Sequence, residues 1–192
     1  RAWATDEENV LFPAEGDNTP DFTVSNAAGA LADMQGYVRT RYVVAQKGQE
    51  ANWNTIYPAF YNAVNFGEAG ATAKYKAPVN TSGWFLPSGG QFVQIYNNLN
   101  GDGTDLTSSN IANRNALTSI VEAINGKFTL VGGTELVGTN SVIYWTSVEK
   151  SATHAYLFDI SINQSAEKEY DAKFKIDAPN GVKKSSNTRA IR

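Results

Sequence analysis

The sequence contains no cysteine, and this absence removes several classes of chemistry together. Without thiols the chain cannot form disulfide bonds, thiolate metal sites or a cysteine nucleophile. The compartment stays open, because proteins that hold together by their core alone occur both inside and outside cells. Histidine is also scarce, since it occurs only at position 154.

Basic clusters and long apolar runs are lacking as well. The 16 basic and 19 acidic residues give a net charge of -3, and the longest run of cations is Lys183-Lys184. A surface that tracks nucleic-acid phosphates is therefore not expected. No run approaches the roughly 18 apolar residues of a membrane span, so no membrane contact is expected either.

Charged residues make up only 18% of the chain, against roughly 25% in a typical soluble domain. The surface must therefore rely on neutral polar groups, which Asn, Ser, Thr, Gly and Tyr supply. This mixture adapts to varied hydrogen-bonding partners and favours a binding role.

A chain of 192 residues is long enough for one sizeable core that buries roughly 70% of the unfolded surface. Turn-forming residues dominate residues 1–30, so we expect an irregular N-terminal lead there and a single domain over residues 31–192. The sequence starts at Arg1 without a basic and apolar leader, so we expect an upstream targeting segment that has been removed.

Apolar periodicity predicts helices in the middle of the chain and strands mainly towards its end. The predicted helices cover residues 53–66, a segment that follows Pro87 with Ser88 as N-cap and Gln91 closing a capping box, and residues 110–125 with Gly126 as the stop. The predicted strands cover residues 37–44, 127–131, 142–149, 155–162, 174–176 and 186–192, and Arg39 and Arg41 are expected to face solvent. This order indicates an α+β domain with an antiparallel sheet.

Three motifs occur in a fixed order along the chain. They are Gly83-Trp84-Phe85-Leu86-Pro87-Ser88, then Tyr144-Trp145-Thr146-Ser147-Val148-Glu149, then Thr188-Arg189-Ala190-Ile191-Arg192, with Asp33-Met34-Gln35-Gly36-Tyr37-Val38-Arg39-Thr40 upstream. Together they resemble the Fibrobacter succinogenes major paralogous domain and the related DUF1566 group, over residues 31–192. The sequence departs from the family pattern at Arg39, Val148, Ala190 and Ile191.

The resemblance implies a C-type-lectin-like α+β fold, with two or three helices packed on a small twisted antiparallel sheet and with long irregular loops. It also implies an exported protein at the bacterial cell surface or associated with the outer membrane. Relatives of this kind are often surface lipoproteins or fimbria-associated subunits.

Residues that invite a catalytic or metal-binding interpretation also have a simpler structural one. We interpret Trp84 and Trp145 as core residues with a satisfied indole N–H rather than as sugar-stacking platforms. Ser147 or Ser151 with His154 lacks the G-x-S-x-G elbow of a hydrolase triad.

Metal and carboxylate chemistry is weakly indicated. The acidic loop over residues 98–105 has Ser109 where a calcium loop needs glutamate. Glu149, Asp159 and Asp171 leave a carboxylate-based hydrolase open. Arg189 and Arg192 could clamp a carboxylate or phosphate, but we expect them to pair with internal acids such as Glu149. We therefore expect no catalytic residues, no metal and no cofactor.

Recognition is expected in loops on a rigid scaffold. The predicted binding face joins residues 132–141 to residues 150–154, and its candidate ligand-binding residues are Thr134, Glu135, Thr139, Asn140, Lys150, Ser151 and His154. The leading hypothesis is a non-enzymatic recognition or adhesion module for an extracellular glycan or protein. The alternatives are a structural subunit of a fimbria or surface assembly, whose Ala- and Gly-rich lead docks to a neighbour, and a glycan-active hydrolase.

Overall fold

The computed structural model describes residues 3–4, 20–100, 114–133, 142–151, 154–163 and 169–179. Over these ranges the chain is a mixture of helices and a small antiparallel sheet, which confirms the predicted α+β class. The helices are α1 (Ala27–Ala32), α2 (Gly36–Lys47), α3 (Trp53–Ile56), α4 (Pro58–Val64), a 3-10 helix (Gly70–Tyr75), α5 (Gly89–Asn100) and α6 (Arg114–Leu130). They outnumber the two or three helices predicted.

The sheet has three strands in the order β1 (Val142–Ser151), β2 (His154–Asn163) and β3 (Glu169–Pro179). Both neighbouring pairs are antiparallel. The predictions for residues 142–149 and 155–162 are confirmed, and the predicted strand 174–176 is the middle of a longer one. The predicted final strand, 186–192, lies outside the described residues.

The largest correction concerns residues 37–44, which form most of helix α2 rather than a strand. β-branched and aromatic residues favour strands, but this preference is weak and tertiary contacts override it. The buried residues of α2 are Gly36, Arg39, Thr40 and Val43, which is the spacing of one helix face. Arg41 is exposed as predicted, whereas Arg39 is fully buried.

The predicted helix 53–66 is divided at Tyr57 into α3 and α4. Pro58 is the first residue of α4, a position where its missing amide costs no hydrogen bond. Tyr57, at the break, and Phe60, in α4, both lie in the core and are 5% and 0% exposed.

Helix α6 extends past the predicted stop at Gly126 and ends at Leu130, so the strand predicted at 127–131 is wrong. The end is a Schellman motif: Gly133 N donates to Phe128 O at 2.8 Å and Gly132 N donates to Thr129 O at 3.0 Å. Gly132 has φ +70°, the left-handed conformation that this motif requires and that glycine adopts without strain.

The core lies between the helical layer and β1–β2, and three residues of the predicted lead, Trp3, Ala4 and Phe22, belong to its main cluster. Trp3 and Phe22 are 0% and 1% exposed, and the Trp3 ring packs edge-on against Phe60 with the centroids 5.4 Å apart. The main buried cluster comprises Trp3, Ala4, Phe22, Val43, Tyr57, Ala59, Phe60, Ala63, Leu86, Trp145, Ala155 and Leu157. The described residues of the lead, 3–4 and 20–30, therefore pack onto the rest of the chain, and helix α1 crosses the predicted boundary at residue 30.

Candidate functional site

Residues of the first two sequence motifs and of the segment upstream of them meet at one buried place, which we call the motif cluster: Asp33, Gly36, Thr40, Leu86, Pro87, Ser88 and Ser147. Leu86 N donates to Thr40 Oγ1 at 3.1 Å, and Ser147 N donates to Pro87 O at 2.8 Å. These bonds join the start of α2, the corner before α5 and strand β1. Motifs that are far apart in sequence therefore contact each other directly.

Ser88 precedes α5, as predicted, and Ser88 N donates to Gln91 Oε1 at 3.0 Å. This is the return half of the predicted capping box. The Ser88 hydroxyl instead donates to Asp33 O at 2.5 Å. The side chain thus fastens α5 to the segment before α2, and its place in a fully buried position fits that structural role rather than a nucleophile.

Arg39 and Asp33 form a buried ion pair beside the motif cluster. Arg39 Nη1 and Nη2 each donate to one Asp33 carboxylate oxygen at 2.6 Å, and Arg39 Nε donates to Asp21 O at 2.7 Å. The guanidinium is fully buried and the Asp33 side chain is 7% exposed. This bidentate geometry explains why an arginine can stand on the inner face of α2.

Strand β1 is irregular within the second sequence motif, residues 144–149. Trp145 pairs with Leu157 and Glu149 pairs with Ala155, so β1 holds two more residues than β2 over this stretch. Several of the main-chain groups involved bond outside the sheet: Trp3 Nε1 donates to Thr146 O at 2.6 Å, and Glu149 N donates to Phe22 O at 2.8 Å. The irregularity is therefore the place where the lead attaches, through a parallel bridge between Thr23 and Glu149.

Three residues of the predicted binding face lie at the turn between β1 and β2. Ser151 and His154 are the last paired residues of this hairpin, and Lys150 and His154 are half-buried. The other four, Thr134, Glu135, Thr139 and Asn140, lie outside the described residues. These four residues precede Val142 in the sequence. The ten residues of β1 span roughly 30 Å from Val142 to the hairpin turn at the usual rise of a strand. The combined face stays a prediction.

The two tryptophans of the motifs have different environments. Trp145 is fully buried in the main core cluster, as predicted. Trp84 is only half-buried, and its indole N–H donates to Tyr75 O at 2.9 Å. The predicted hydrogen bond of the Trp84 indole N–H is confirmed, but the predicted core position of Trp84 is wrong.

Trp84 belongs to a group of rings at the surface, which we call the aromatic cluster: Phe66, Tyr75 and Trp84. Phe66 stacks on Tyr75 with centroids 5.8 Å apart and meets Trp84 edge-on at 5.1 Å. The ammonium of Lys74 lies 4.8 Å from the Tyr75 centroid. Sequence reasoning missed the cluster because it sits between the end of α4 and the 83–88 corner, where apolar spacing has no period.

Of the residues named for the hydrolase alternatives, Ser147, Glu149 and His154 have side chains that the structure describes. Ser147 is fully buried within the irregular part of β1, which does not suit attack on a substrate. Among the ranges described, no three or more His, Asp or Glu side chains gather where a metal ion would fit. Glu149 is fully buried, but its predicted partner Arg189 lies outside these ranges, so that pairing stays a prediction.

None of the helices in the described part of the chain is both long and apolar enough to cross a membrane. No protein-family model and no curated protein matches the sequence. The fold is similar to that of a fimbrial protein from Bacteroides ovatus, with a TM-score of 0.51 and 12% sequence identity. The likeness covers 98% of this chain and 32% of that protein, so the chain spans about a third of its length.

Proposed function

We propose that this chain is a structural subunit, or part of one, of a fimbria or related assembly at the bacterial cell surface. The observation that carries the proposal is the fold, which is similar over 98% of the chain to a fimbrial protein. The motif cluster supports the same role, because its residues form a buried framework rather than a reactive cleft. The fold similarity therefore favours the assembly alternative over the adhesion hypothesis, which is the leading one in the sequence analysis.

The exposed surface also suits a protein that contacts neighbours. Met34, Tyr37 and Val38 are 43%, 40% and 52% exposed, and they lie within five positions, Met34 just before α2 and the other two in its first turn. Apolar residues that cluster in this way mark contact surfaces more often than scattered ones do. The inner face of the same helix carries Gly36, Arg39, Thr40 and Val43.

Localisation in the source bacterium tests the proposal. Filaments sheared from whole cells are labelled with an antibody against the chain and viewed by electron microscopy, with cells lacking the encoding gene as the control. We expect label on filaments or at their ends, and antigen in the high-molecular-weight surface fraction. Antigen found only as a free monomer, with unlabelled filaments, would contradict an assembly role.

A second candidate function is recognition of a glycan, and the aromatic cluster is the observation that favours it. Half-buried Trp84 and 37% exposed Tyr75 are rigid amphipathic rings of the kind used at binding surfaces. The Trp84 indole N–H is already bonded to Tyr75 O, so the ring has apolar surface to offer rather than a free donor. Such a surface suits the C–H-rich face of a pyranose.

Two variants separate this site from the predicted loop face on a glycan array followed by titration calorimetry. Trp84→Ala removes the aromatic cluster, Trp84→Phe keeps an aromatic ring as its control, and a Gly-Ser linker in place of residues 134–140 removes part of the loop face. Loss of binding in Trp84→Ala alone supports the aromatic cluster, whereas loss in the loop variant alone supports the loop face. A wild-type chain that binds no glycan leaves only the structural role.

A further inference from the structure

The two outer strands of the sheet differ in what lies beside them. Beside β1, residues 22–24 of the lead add a parallel bridge at Thr23 and Glu149. Beside β3, no segment of the described chain pairs with the edge that faces away from β2. The outer edge of a strand is a template for pairing with another strand.

The sequence of β3 alternates in a regular way. It pairs with β2 residue by residue from Glu169 opposite Asn163 to Ile176 opposite Tyr156, so successive positions occupy opposite faces. One face carries Glu169, Asp171, Lys173 and Lys175, and the other carries Tyr170, Ala172, Phe174 and Ile176. Asp177 lies at a register shift and is left out of the pattern.

The charged positions of β3 are complementary to themselves when the strand is reversed. If a second copy pairs antiparallel about Ala172, Glu169 lies opposite Lys175 and Asp171 lies opposite Lys173, and the symmetry repeats both pairs. Opposite charges across neighbouring strands stabilise pairing, and like charges oppose it. All charged positions from 169 to 175 are thus matched in this register.

Other registers that keep the two faces aligned are penalised. Centring the pair on Asp171 or on Lys173 places that residue opposite its own copy. Centring on Tyr170 or Phe174 leaves only like charges opposite each other within this stretch. The charge pattern therefore selects the register centred on Ala172 and disfavours its neighbours.

We propose that the chain forms a two-fold homodimer by antiparallel pairing of β3 with β3 of a second copy, centred on Ala172. The two three-stranded sheets become one sheet of six strands. This deepens the proposed assembly role, on which it rests for its biological setting, by naming a second copy as one neighbour. Because such a contact uses the same edge in both copies, it closes a pair, and filament growth requires a different surface.

A single cysteine tests the register directly, because the chain has none of its own. In an antiparallel pair, directly opposite Cα atoms lie roughly 4.5–5.5 Å apart, within the range that a disulfide spans. We expect Ala172→Cys to form a covalent dimer under mild oxidation, as read on a non-reducing gel. Ala178→Cys is the matched control, because residue 178 does not face its own copy. Equal cross-linking of both variants would overturn the proposed register.

Charge reversal tests the pairing in solution by sedimentation velocity. Lys173→Glu with Lys175→Glu makes all four positions acidic, and Glu169→Lys with Asp171→Lys makes all four basic. Each double variant alone should weaken dimerisation at least tenfold, and an equimolar mixture should restore it as a heterodimer. Circular dichroism checks that both variants fold.

Three results would overturn the homodimer: a wild-type chain that stays monomeric at its highest soluble concentration, reversed variants that dimerise like the wild type, or a mixture that does not recover. The filament-labelling experiment tests neither the register nor the pairing of β3 with a second copy. A monomeric chain found on filaments therefore defeats this inference alone, and a dimeric chain absent from the cell surface defeats the assembly role alone.

Discussion

Helices α2 and α6 show how differently local sequence and tertiary contact act in the same molecule. At the start of α2, Gly36 lies so close to the corner before α5 that an added Cβ would be 2.7 Å from Leu86 O. In α6, Gly126 has no heavy atom within 4 Å of the corresponding position, apart from the helix itself. The start of α2 is held in place by what surrounds it, whereas α6 follows its own periodicity.

Arg39→Ala in α2 is expected to have the largest effect. It leaves the Asp33 carboxylate buried without its bidentate partner and removes the bond to Asp21 O. Breaking a buried pair from one side costs about 3–5 kcal/mol. Urea denaturation measures the loss, with Arg41→Ala as the control. Arg41 is exposed and contacts Tyr37 and Ser82 O, so its loss should cost about 1 kcal/mol or less. Equal losses would show that burial of Arg39 is not what matters.

Gly36→Ala should destabilise the chain by about 3 kcal/mol, at the upper end of the usual cost of overpacking. The new methyl group would meet Gln91 Oε1 at 2.2 Å and the main-chain atoms Ser88 N and Leu86 O at 2.6 and 2.7 Å. The glutamine can move, but the two main-chain atoms belong to the motif cluster and cannot move without opening it. A thermal melt unchanged from the wild type would disprove this close approach.

The same contrast explains which parts of the fold the sequence predicts. Strands β1 and β2 and helix α5 follow apolar patterns that suit their local structure, and Ser88 and Gln91 are readable as a helix start. The strand prediction for residues 37–44 is wrong because contacts with Asp21 O, Leu86 and Ser88 hold helix α2, and a local window of sequence does not contain these partners. Burial of a charged residue such as Arg39 depends on where Asp33 lies in three dimensions.

Functional surfaces were predictable only in part, for a related reason. The sequence analysis interprets both Trp84 and Trp145 as core residues, yet Trp84 lies at the surface and Trp145 in the core. Trp145 packs in the main core cluster, whereas Trp84 contacts Phe66 and the main chain of Tyr75 near the surface. The turn at Ser151 and His154 was found correctly as a break between strands, because polar residues interrupt two apolar runs.

Tyr156→Phe tests a tertiary contact at the place where the sheet meets the lead. Tyr156 is fully buried, and its hydroxyl donates to Val24 O at 3.0 Å. Removing the hydroxyl leaves that carbonyl without this donor, which should cost about 1 kcal/mol. Denaturation at pH 7 measures the cost. A variant as stable as the wild type would mean that the hydroxyl contributes nothing to holding the lead.

The stability of the same variant should also differ from that of the wild type at high pH. Burial raises the pKa of Tyr156 above its ordinary value of 10.0. The unfolded chain therefore loses this proton near pH 10 while the folded chain keeps it, so the contribution is complete below pH 10 and is lost as pH rises further. The wild type should lose up to about 1.4 kcal/mol per pH unit more than Tyr156→Phe just above pH 10. Parallel stability curves from pH 9 to 11 would contradict the assignment.

Gly126→Ala should have the smallest effect, and its sign is opposite to that of Gly36→Ala. Residue 126 is inside α6, open space surrounds the new methyl group, and alanine loses less chain entropy in a helix, so a gain of about 0.5–1 kcal/mol is expected. Gly132→Ala is the matched control: it has equal space, but its φ of +70° makes a Cβ cost about 1–2 kcal/mol. Denaturation of both variants separates crowding from backbone strain. If both gained stability, the Schellman end of α6 would be wrong; if both lost it, α6 would not continue through residue 126.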